Sequence, residues 1–225
     1  MKDARRRMIS VGLTVAALVM AAAPQYAAPG QQMSMGAQVS GAKPQPLRTD
    51  GRFPIYPGDV EFMTGMIPHH AQAVIMAGWA KSHGARKDVA VLCERIVVAQ
   101  TDEIKMMQTW LADHGFPVPD AKDTRMHMNM GGMDHAMLMP GMLSDDEMKA
   151  LDKARGSEFD RLFLIGMIKH HQGALDMVEA LNKAYGAAQD ETVFKFSSDV
   201  YADQGTEIER MWQMLAVTPG YKGGL

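Results

Sequence analysis

Residues 126–142 read MHMNMGGMDHAMLMPGM and contain seven methionines and two histidines. Thioether sulfur is a soft, uncharged ligand and imidazole is borderline, so this mixture selects Cu(I), with imidazole also serving Cu(II). Methionine also suits an oxidising compartment, where clustered cysteines would be lost to disulfides. The glycines and the proline predict a flexible loop that is not packed core. Such a loop can fold two to four sulfurs around a cuprous ion, and the alternatives are a methionine-rich interaction surface and an oxidant sponge. Its candidate ligands are Met126, His127, Met128, Met130, Met133, His135, Met137, Met139 and Met142.

A second pattern of histidine and methionine occurs twice in the chain, at an offset of 101 residues. FMTGMIPHHAQAVIMA spans 62–77 and FLIGMIKHHQGALDMV spans 163–178, with eight identities in sixteen positions. The segments that follow also match, since QTDEIKMMQTWL at 100–111 parallels QGTEIERMWQML at 204–215. The chain therefore contains two copies of an internal repeat, and in each copy a His-Met segment precedes a Gln-x-x-Glu-Ile segment.

The spacing within the repeated His-Met segments predicts ligands on one side of a helix. At about 100° per residue, Met66, His69 and Met76 share one stripe, with His70 at its edge. If the halves pair about a pseudo-twofold axis, the two stripes face each other. The candidate ligands in the helices are Met66, His69, His70, Met76, Met107, Met167, His170, His171, Met177 and Met211. A methionine stripe is more often core and a buried histidine is more often structural, but the duplication favours a metal role.

Four long helices must position these side chains. The first is capped at Asp59 with Pro68 inside it, or else begins near Pro68. The second ends at Gly115, the third starts at a Ser-x-x-Glu capping box over 144–147 and breaks near Gly156, and the fourth spans about 188–216. Hairpin turn signals are missing. The predicted fold is all-α, a four-helix bundle over 55–219, with repeat one at 57–115, a Met-rich crossover loop at 116–143 and repeat two at 144–217.

The N-terminus predicts an export signal over residues 1–28, because basic MKDARRR precedes a short apolar run. That run is too short for a membrane span, although an uncleaved N-terminal anchor is the alternative. Residues 29–54 are rich in Gly, Pro, Gln and Ser and predict a flexible linker that folding does not require. The mature protein is expected in the periplasm or outside the cell, without stable membrane insertion.

Charge and composition exclude several function classes. The whole chain carries a net charge of −3, and the export signal is positive, so the mature part is acidic and a poor binder of nucleic acid. Its single cysteine, Cys93, allows no internal disulfide. No nucleophile–base set and no Gly-rich phosphate loop occurs in the sequence, so an enzyme is not expected.

The repeated Met-Ile-x-His-His signature resembles the "domain of unknown function 305" family over about residues 57–216. The resemblance implies a ferritin-like four-helix bundle, and exported members are implicated in copper binding and copper resistance. It also implies that the functional positions are Met66, His69, His70, Met76, Met167, His170, His171 and Met177. Relatives of this fold that bind di-iron use Glu-x-x-His ligands, and this chain has no Glu-x-x-His.

The favoured hypothesis is an exported protein that sequesters Cu(I), or Ag(I), or hands it to another copper-handling protein. Two alternatives stay open: a copper-dependent oxidase acting on Cu(I) or a small reductant, and a Met-rich helical interaction module without metal. The helices and the crossover are expected to form separate copper sites. The crossover site should be the weaker one, because ordering a loop costs conformational entropy.

Overall fold

The computed structural model describes residues 43–49, 51, 53–130 and 133–223. Its elements are α1 (Pro57–Gly78), α2 (Lys87–Asp113), β1 (Met126–Met130), β2 (Met133–Met137), α3 (Asp145–Lys153), α4 (Ser157–Lys183) and α5 (Glu191–Ala216). α1 packs against α2, α4 packs against α5, and α1 contacts α4 between the two pairs. The predicted all-α four-helix bundle is therefore confirmed. The predicted export signal and residues 29–42 of the predicted linker lie outside the described residues.

The start of α1 differs from the expectation. The helix is capped at Tyr56, and the predicted cap, Asp59, is instead the third helical residue. Its carboxylate accepts hydrogen bonds from the backbone N–H of Tyr56 at 2.9 Å and of Ala188 at 2.6 Å. The alternative of a helix that begins near Pro68 is wrong, because Pro68 lies inside α1. Proline has no N–H, so the carbonyl of Thr64 lacks its usual helical donor.

The boundaries of the other helices follow local sequence signals. Ser144 Oγ accepts from the N–H of Glu147 at 3.3 Å, and the Glu147 carboxylate accepts from the N–H of Ser144 at 2.7 Å, which is the predicted capping box. Gly156, at φ +58, separates the short α3 from α4. Gly115, at φ +72, follows the end of α2 as expected.

The end of the predicted linker contacts the bundle. The side chain of Arg48 donates a hydrogen bond to the carbonyl oxygen of His114 at 2.6 Å.

The crossover is not the flexible loop that the sequence predicts. β1 and β2 form an antiparallel hairpin in which Met126 pairs with Met137 and Met130 pairs with Met133. The expectation missed a signal, because a Gly-Gly pair between two segments of alternating residues is typical of a two-residue hairpin turn. The exclusion of this segment from the core is also wrong. Met126, Met139 and Met142 are only 7, 8 and 4% exposed, since the hairpin folds back onto the bundle.

No helix in the described ranges is long and apolar enough to span a membrane. Cys93 is buried in the core, and burial raises the pKa of its thiol to about 12. This thiol therefore stays protonated and is a poor metal ligand, because metal binding needs the thiolate.

Candidate metal centre

The two His-His pairs meet where α1 contacts α4. His69 and His170 occupy equivalent positions in the two repeats, and their ring centroids are 3.8 Å apart. His70 and His171 flank them, each with its ring centroid 6.2 Å from that of its neighbour in sequence. All four side chains are completely buried. The structure thus confirms that the two repeated stripes face each other.

The outer histidines bind carboxylates from the partner helices. His70 Nε2 lies 2.8 Å from Glu103 Oε2 of α2, and His171 Nε2 lies 2.7 Å from Glu207 Oε2 of α5. A carboxylate only accepts, so each Nε2 carries the hydrogen and donates it. Sequence reasoning found the repeated Gln-x-x-Glu-Ile segment but gave these glutamates no role. Their recurrence at the same distance from a His-His pair was the signal that could have found them.

The inner histidines donate to backbone carbonyls. His69 Nε2 lies 3.0 Å from the carbonyl oxygen of Pro140, and His170 Nε2 lies 2.9 Å from that of His69. A carbonyl oxygen cannot donate, so Nε2 again carries the hydrogen in both rings. Burial, together with the nearby histidines, holds the pKa of His69 and of His170 well below 6.5. Both rings are therefore neutral at neutral pH, with the lone pair on Nδ1.

The four Nδ1 atoms are the chemically available groups of this centre. Each is buried and has no hydrogen-bond partner among the described residues. The side-chain oxygens of Gln100 and Gln204, which lie one turn before the two glutamates, are likewise buried and have no hydrogen-bond partner among the described residues. A neutral imidazole that donates from one nitrogen to a carboxylate or carbonyl presents the other nitrogen to a metal. The arrangement around all four rings is the one that metal-binding histidines adopt.

The methionines of the helices lie on either side of the histidines. Met66 and Met177 pack in one buried cluster with Met107, and Met76 and Met167 pack in another with Met211. In each repeat one methionine precedes the His-His pair and the other follows it, so α1 and α4 pass the centre in opposite directions. All six side chains are buried, five completely and Met177 at 7% exposed. The structure therefore gathers the six thioethers into two clusters of three, each with one methionine that precedes a His-His pair and one that follows the other pair.

The end of the crossover closes over the centre. Its backbone at Pro140–Gly141 presses against α4 at Gly173, where a Cβ atom would stand 2.0 Å from the Pro140 carbonyl oxygen. On α1, the amide of Gln72 both donates to and accepts from the backbone of Leu143, at 2.9 and 2.7 Å. The sequence did not predict a role for Gln72, Gly173 or Pro140, because no local pattern indicates which distant backbone contacts them.

The nine predicted crossover ligands do not form one site. His127 and His135 are exposed, as is Met133, and His127 Nε2 pairs with Asp123 at 2.9 Å. Met128 and Met137 are partly buried against the cluster that holds Met66, whereas Met126, Met139 and Met142 belong to it. The side chain of Met130 lies outside the described residues. The expectation of a copper site in the crossover apart from the helices stays a prediction, and one core cluster contains methionines of both.

Two observations limit which ligands a metal ion could have at this centre. Within the described ranges, no three His, Cys, Asp or Glu side chains are grouped so that they could hold a metal ion. A site here consequently needs thioether ligands beside the imidazoles.

His83, by contrast, is buried, but both of its ring nitrogens have hydrogen-bond partners. Ser82 Oγ lies 2.9 Å from its Nδ1 and the Asp152 carbonyl oxygen lies 2.8 Å from its Nε2. Burial alone does not leave a histidine nitrogen without a partner in this protein.

Comparisons with known proteins agree with this architecture. The profile of a family described as "Domain of unknown function (DUF305)" matches residues 59–215. A DUF305 protein from Streptomyces coelicolor, whose name proposes that it is secreted, is 25% identical with a TM-score of 0.61, over 75% of this chain and 98% of its own.

A second relative, CopM, has been solved with metals bound. Its Cu(I)-bound form is 28% identical to this chain with a TM-score of 0.55, over 72% of this chain and 98% of its own. Its Cu(II)-bound form is 31% identical with a TM-score of 0.53, over 70% of this chain and 95% of its own. CopM has also been solved in an Ag-bound form. A comparison with curated proteins gave no match.

Proposed function

The chain belongs to the DUF305 family, and we propose that it is an exported protein that binds Cu(I), and also Ag(I), through buried imidazole and thioether ligands. It sequesters the ion or transfers it to another copper-handling protein, in copper tolerance or homeostasis. Export rests on the signal-like residues 1–28. The proposal is of a binding protein without catalytic turnover. In support, all four imidazoles are completely buried, which leaves a reducing substrate no exposed ring to approach.

The observation that carries this proposal is the set of four buried Nδ1 atoms without a hydrogen-bond partner among the described residues. Leaving one such atom unsatisfied costs about 1–3 kcal/mol. A fold that keeps four of them together, with each Nε2 held by an acceptor, needs a partner for the lone pairs. A metal ion is such a partner, and it is one that binds neutral imidazole.

The identity of the ion follows from the softness of the surroundings. Buried methionines precede and follow each His-His pair along its helix, and Cys93 is not available as a thiolate. Soft, uncharged sulfur favours Cu(I) and Ag(I) over Zn(II), which prefers thiolate, imidazole and carboxylate ligands. The forms of CopM with Cu(I), Cu(II) and silver support the same class of ion.

The test is retention of Cu(I) against a colorimetric Cu(I) chelator under anaerobic conditions. The double variant His70→Ala/His171→Ala should lower affinity at least about tenfold relative to the wild type. The matched control is His83→Ala, which removes a buried histidine whose nitrogens are both partnered and should leave the affinity unchanged. Melting curves of each variant separate a lost ligand from a lost fold.

Four results would contradict the proposal. Equal affinities in the wild type and in a folded double variant would make the His-His pairs structural. Zinc retained in preference to Cu(I) would contradict the assignment of the ion. No retention of any metal would leave the Met-rich interaction module, and sustained oxygen consumption by the copper-loaded protein would favour the oxidase.

A further inference from the structure

Three methionine side chains from three separate segments converge on one point beside Gly65 of α1. At the position that a Cβ atom of Gly65 would occupy, the nearest atoms are Met139 Cε at 2.8 Å, Met126 Sδ at 3.5 Å and Met177 Cε at 3.5 Å. Met126 begins β1, Met139 follows β2 and Met177 belongs to α4. The absence of a side chain at Gly65 thus leaves room where three thioethers meet.

The two crossover methionines of this group, Met126 and Met139, are held in place by backbone hydrogen bonds, and Met177 belongs to α4. Met126 pairs with Met137 in the hairpin, and the N–H of Met139 donates to Met142 Sδ at 3.2 Å. The Met142 N–H donates to the Met139 carbonyl at 3.2 Å, closing a turn that contains Pro140 and Gly141, the latter at φ +73. Because the backbone is already ordered, a ligand here would fix only the ends of side chains.

We propose that Met126, Met139 and Met177 form a site of three thioethers for a soft monovalent cation, Cu(I) or Ag(I), over Gly65. One sulfur already faces the point, and methionine has three rotatable side-chain bonds, so rotamer changes bring the other two sulfurs to it. The three residues are 7, 8 and 7% exposed, which shields the site from water. The inference rests on the proposed function for its class of ion, but the site contains no histidine.

A surface cleft adjoins this site at Met126. A cleft of about 320 Å³ lies between α1 and the segment that leads into β1, and Thr64, Pro68 and Met126 belong to its lining. Asp120 and Asp123 line it too, which places carboxylates where a cation would enter, beside Arg125, itself paired with Asp145. Met126 belongs to both the cleft and the thioether group, so a cation in the cleft is next to the first ligand.

The equivalent position in repeat two lacks such a site. A Cβ atom at Gly166 would meet Leu143 Cδ2 at 3.0 Å, Met76 Cε at 3.3 Å and Leu143 Cδ1 at 3.4 Å. A leucine and one methionine therefore stand where repeat one presents three methionines. Gly65 and Gly166 are equivalent glycines in equivalent helices, which makes them a matched pair for the experiment.

The experiment labels the methionine methyl groups of the full chain with ¹³C and follows their NMR signals during titration with Ag(I). The methyl signals of Met126, Met139 and Met177, assigned with Met→Leu variants, should shift together in one stoichiometric step. Met126→Leu and Met139→Leu should each remove one equivalent of bound Ag(I) without loss of fold, since leucine matches methionine in volume. Gly65→Ala should remove the same equivalent, and Gly166→Ala should retain it.

The outcomes separate this site from the histidine centre. In His70→Ala/His171→Ala the common shift of the three methyls should persist, although tight Cu(I) binding is lost. Independent shifts of the three methyls, or equal Ag(I) capacity in the wild type and in the Met→Leu variants, would overturn the thioether site and leave the histidine centre standing. A wild-type protein that binds neither Ag(I) nor Cu(I) would overturn both.

Discussion

The two repeats carry the same histidines, but the crossover contacts them differently. Position 72 in repeat one is a glutamine, whose amide holds the backbone of Leu143 through two hydrogen bonds. The equivalent position in repeat two is Gly173, which admits the backbone of Pro140 and Gly141 instead. A single crossover cannot lie symmetrically across a pseudo-twofold axis. The duplicated His–Glu pairs are therefore symmetric, and the differences fall on the residues that the crossover touches.

This difference reaches the inner histidines. His69 donates to Pro140 of the crossover, whereas His170 donates to the carbonyl of His69 inside the bundle. Displacing the crossover would leave the Nε2–H of His69 without its acceptor and would not touch the hydrogen bond of His170. One duplicated motif thus contains a half whose inner histidine is satisfied within the bundle and a half whose inner histidine depends on a third segment.

The largest expected effect is that of Gly173→Ala. Its Cβ atom would stand 2.0 Å from the Pro140 carbonyl oxygen and 2.6 Å from Gly141 Cα, so the crossover must move away from α4. We expect a loss of about 3 kcal/mol in the free energy of unfolding, measured by chemical denaturation. Gly205→Ala is the control, because its Cβ atom meets nothing within 4 Å, and it should gain about 0.5–1 kcal/mol. Similar stabilities of the two variants would refute the close approach at Gly173.

A smaller and symmetric effect is expected from the two glutamates. Glu103→Ala and Glu207→Ala each remove the acceptor that orients an outer histidine, so each should lower Cu(I) affinity by about 10–100-fold. Glu103→Gln and Glu207→Gln keep an acceptor oxygen and should lose less. Chelator competition measures all four variants. A loss confined to one repeat would show that the histidine centre is asymmetric in function as well as in its contacts with the crossover.

The smallest effect concerns pH in the metal-free protein. Because His69 and His170 have a lowered pKa in the fold, the unfolded chain binds more protons below its ordinary histidine pKa, about 6.5. Stability should thus be fully present above that pH and be lost progressively as pH falls below it.

The variants His69→Gln and His170→Gln test this pH dependence in each half. Each removes one of the two rings whose pKa the fold lowers, so each should reduce the loss of stability between pH 7.5 and 5.5. Denaturation curves at the two pH values measure it. An unchanged pH dependence in either variant would mean that the fold does not lower the pKa of the ring that it removes.

Local signals in the sequence predicted most of the helical architecture. The Ser144–Glu147 capping box, the break at Gly156 and the glycine after α2 all act within one or two turns of a helix, so they can be recognised without knowing the fold. The hairpin could also have been predicted, because its Gly-Gly pair and its alternating residues are local signals.

The histidines show where local reasoning stops. Helical periodicity was enough to place His69 and His170 on the facing sides of two helices, because periodicity depends only on neighbours along the chain. It could not identify the acceptor of His69, a carbonyl 71 residues away, or the carboxylate of His70, on another helix. Those contacts determine which nitrogen carries the hydrogen and therefore which nitrogen is left for a metal.

Composition and repetition alone indicate an all-α protein with ligands for a soft metal ion. The residue types determine how soft the ligands are, and the internal repeat indicates two equivalent pairs of helices. Only the tertiary structure decides that the crossover methionines enter the core, that Gly65 lies beneath three thioethers, and that Gly173 admits the crossover backbone. These features depend on which distant segments occupy the same space. Close packing of the core determines these contacts between distant segments, and no pattern along the chain encodes them by itself.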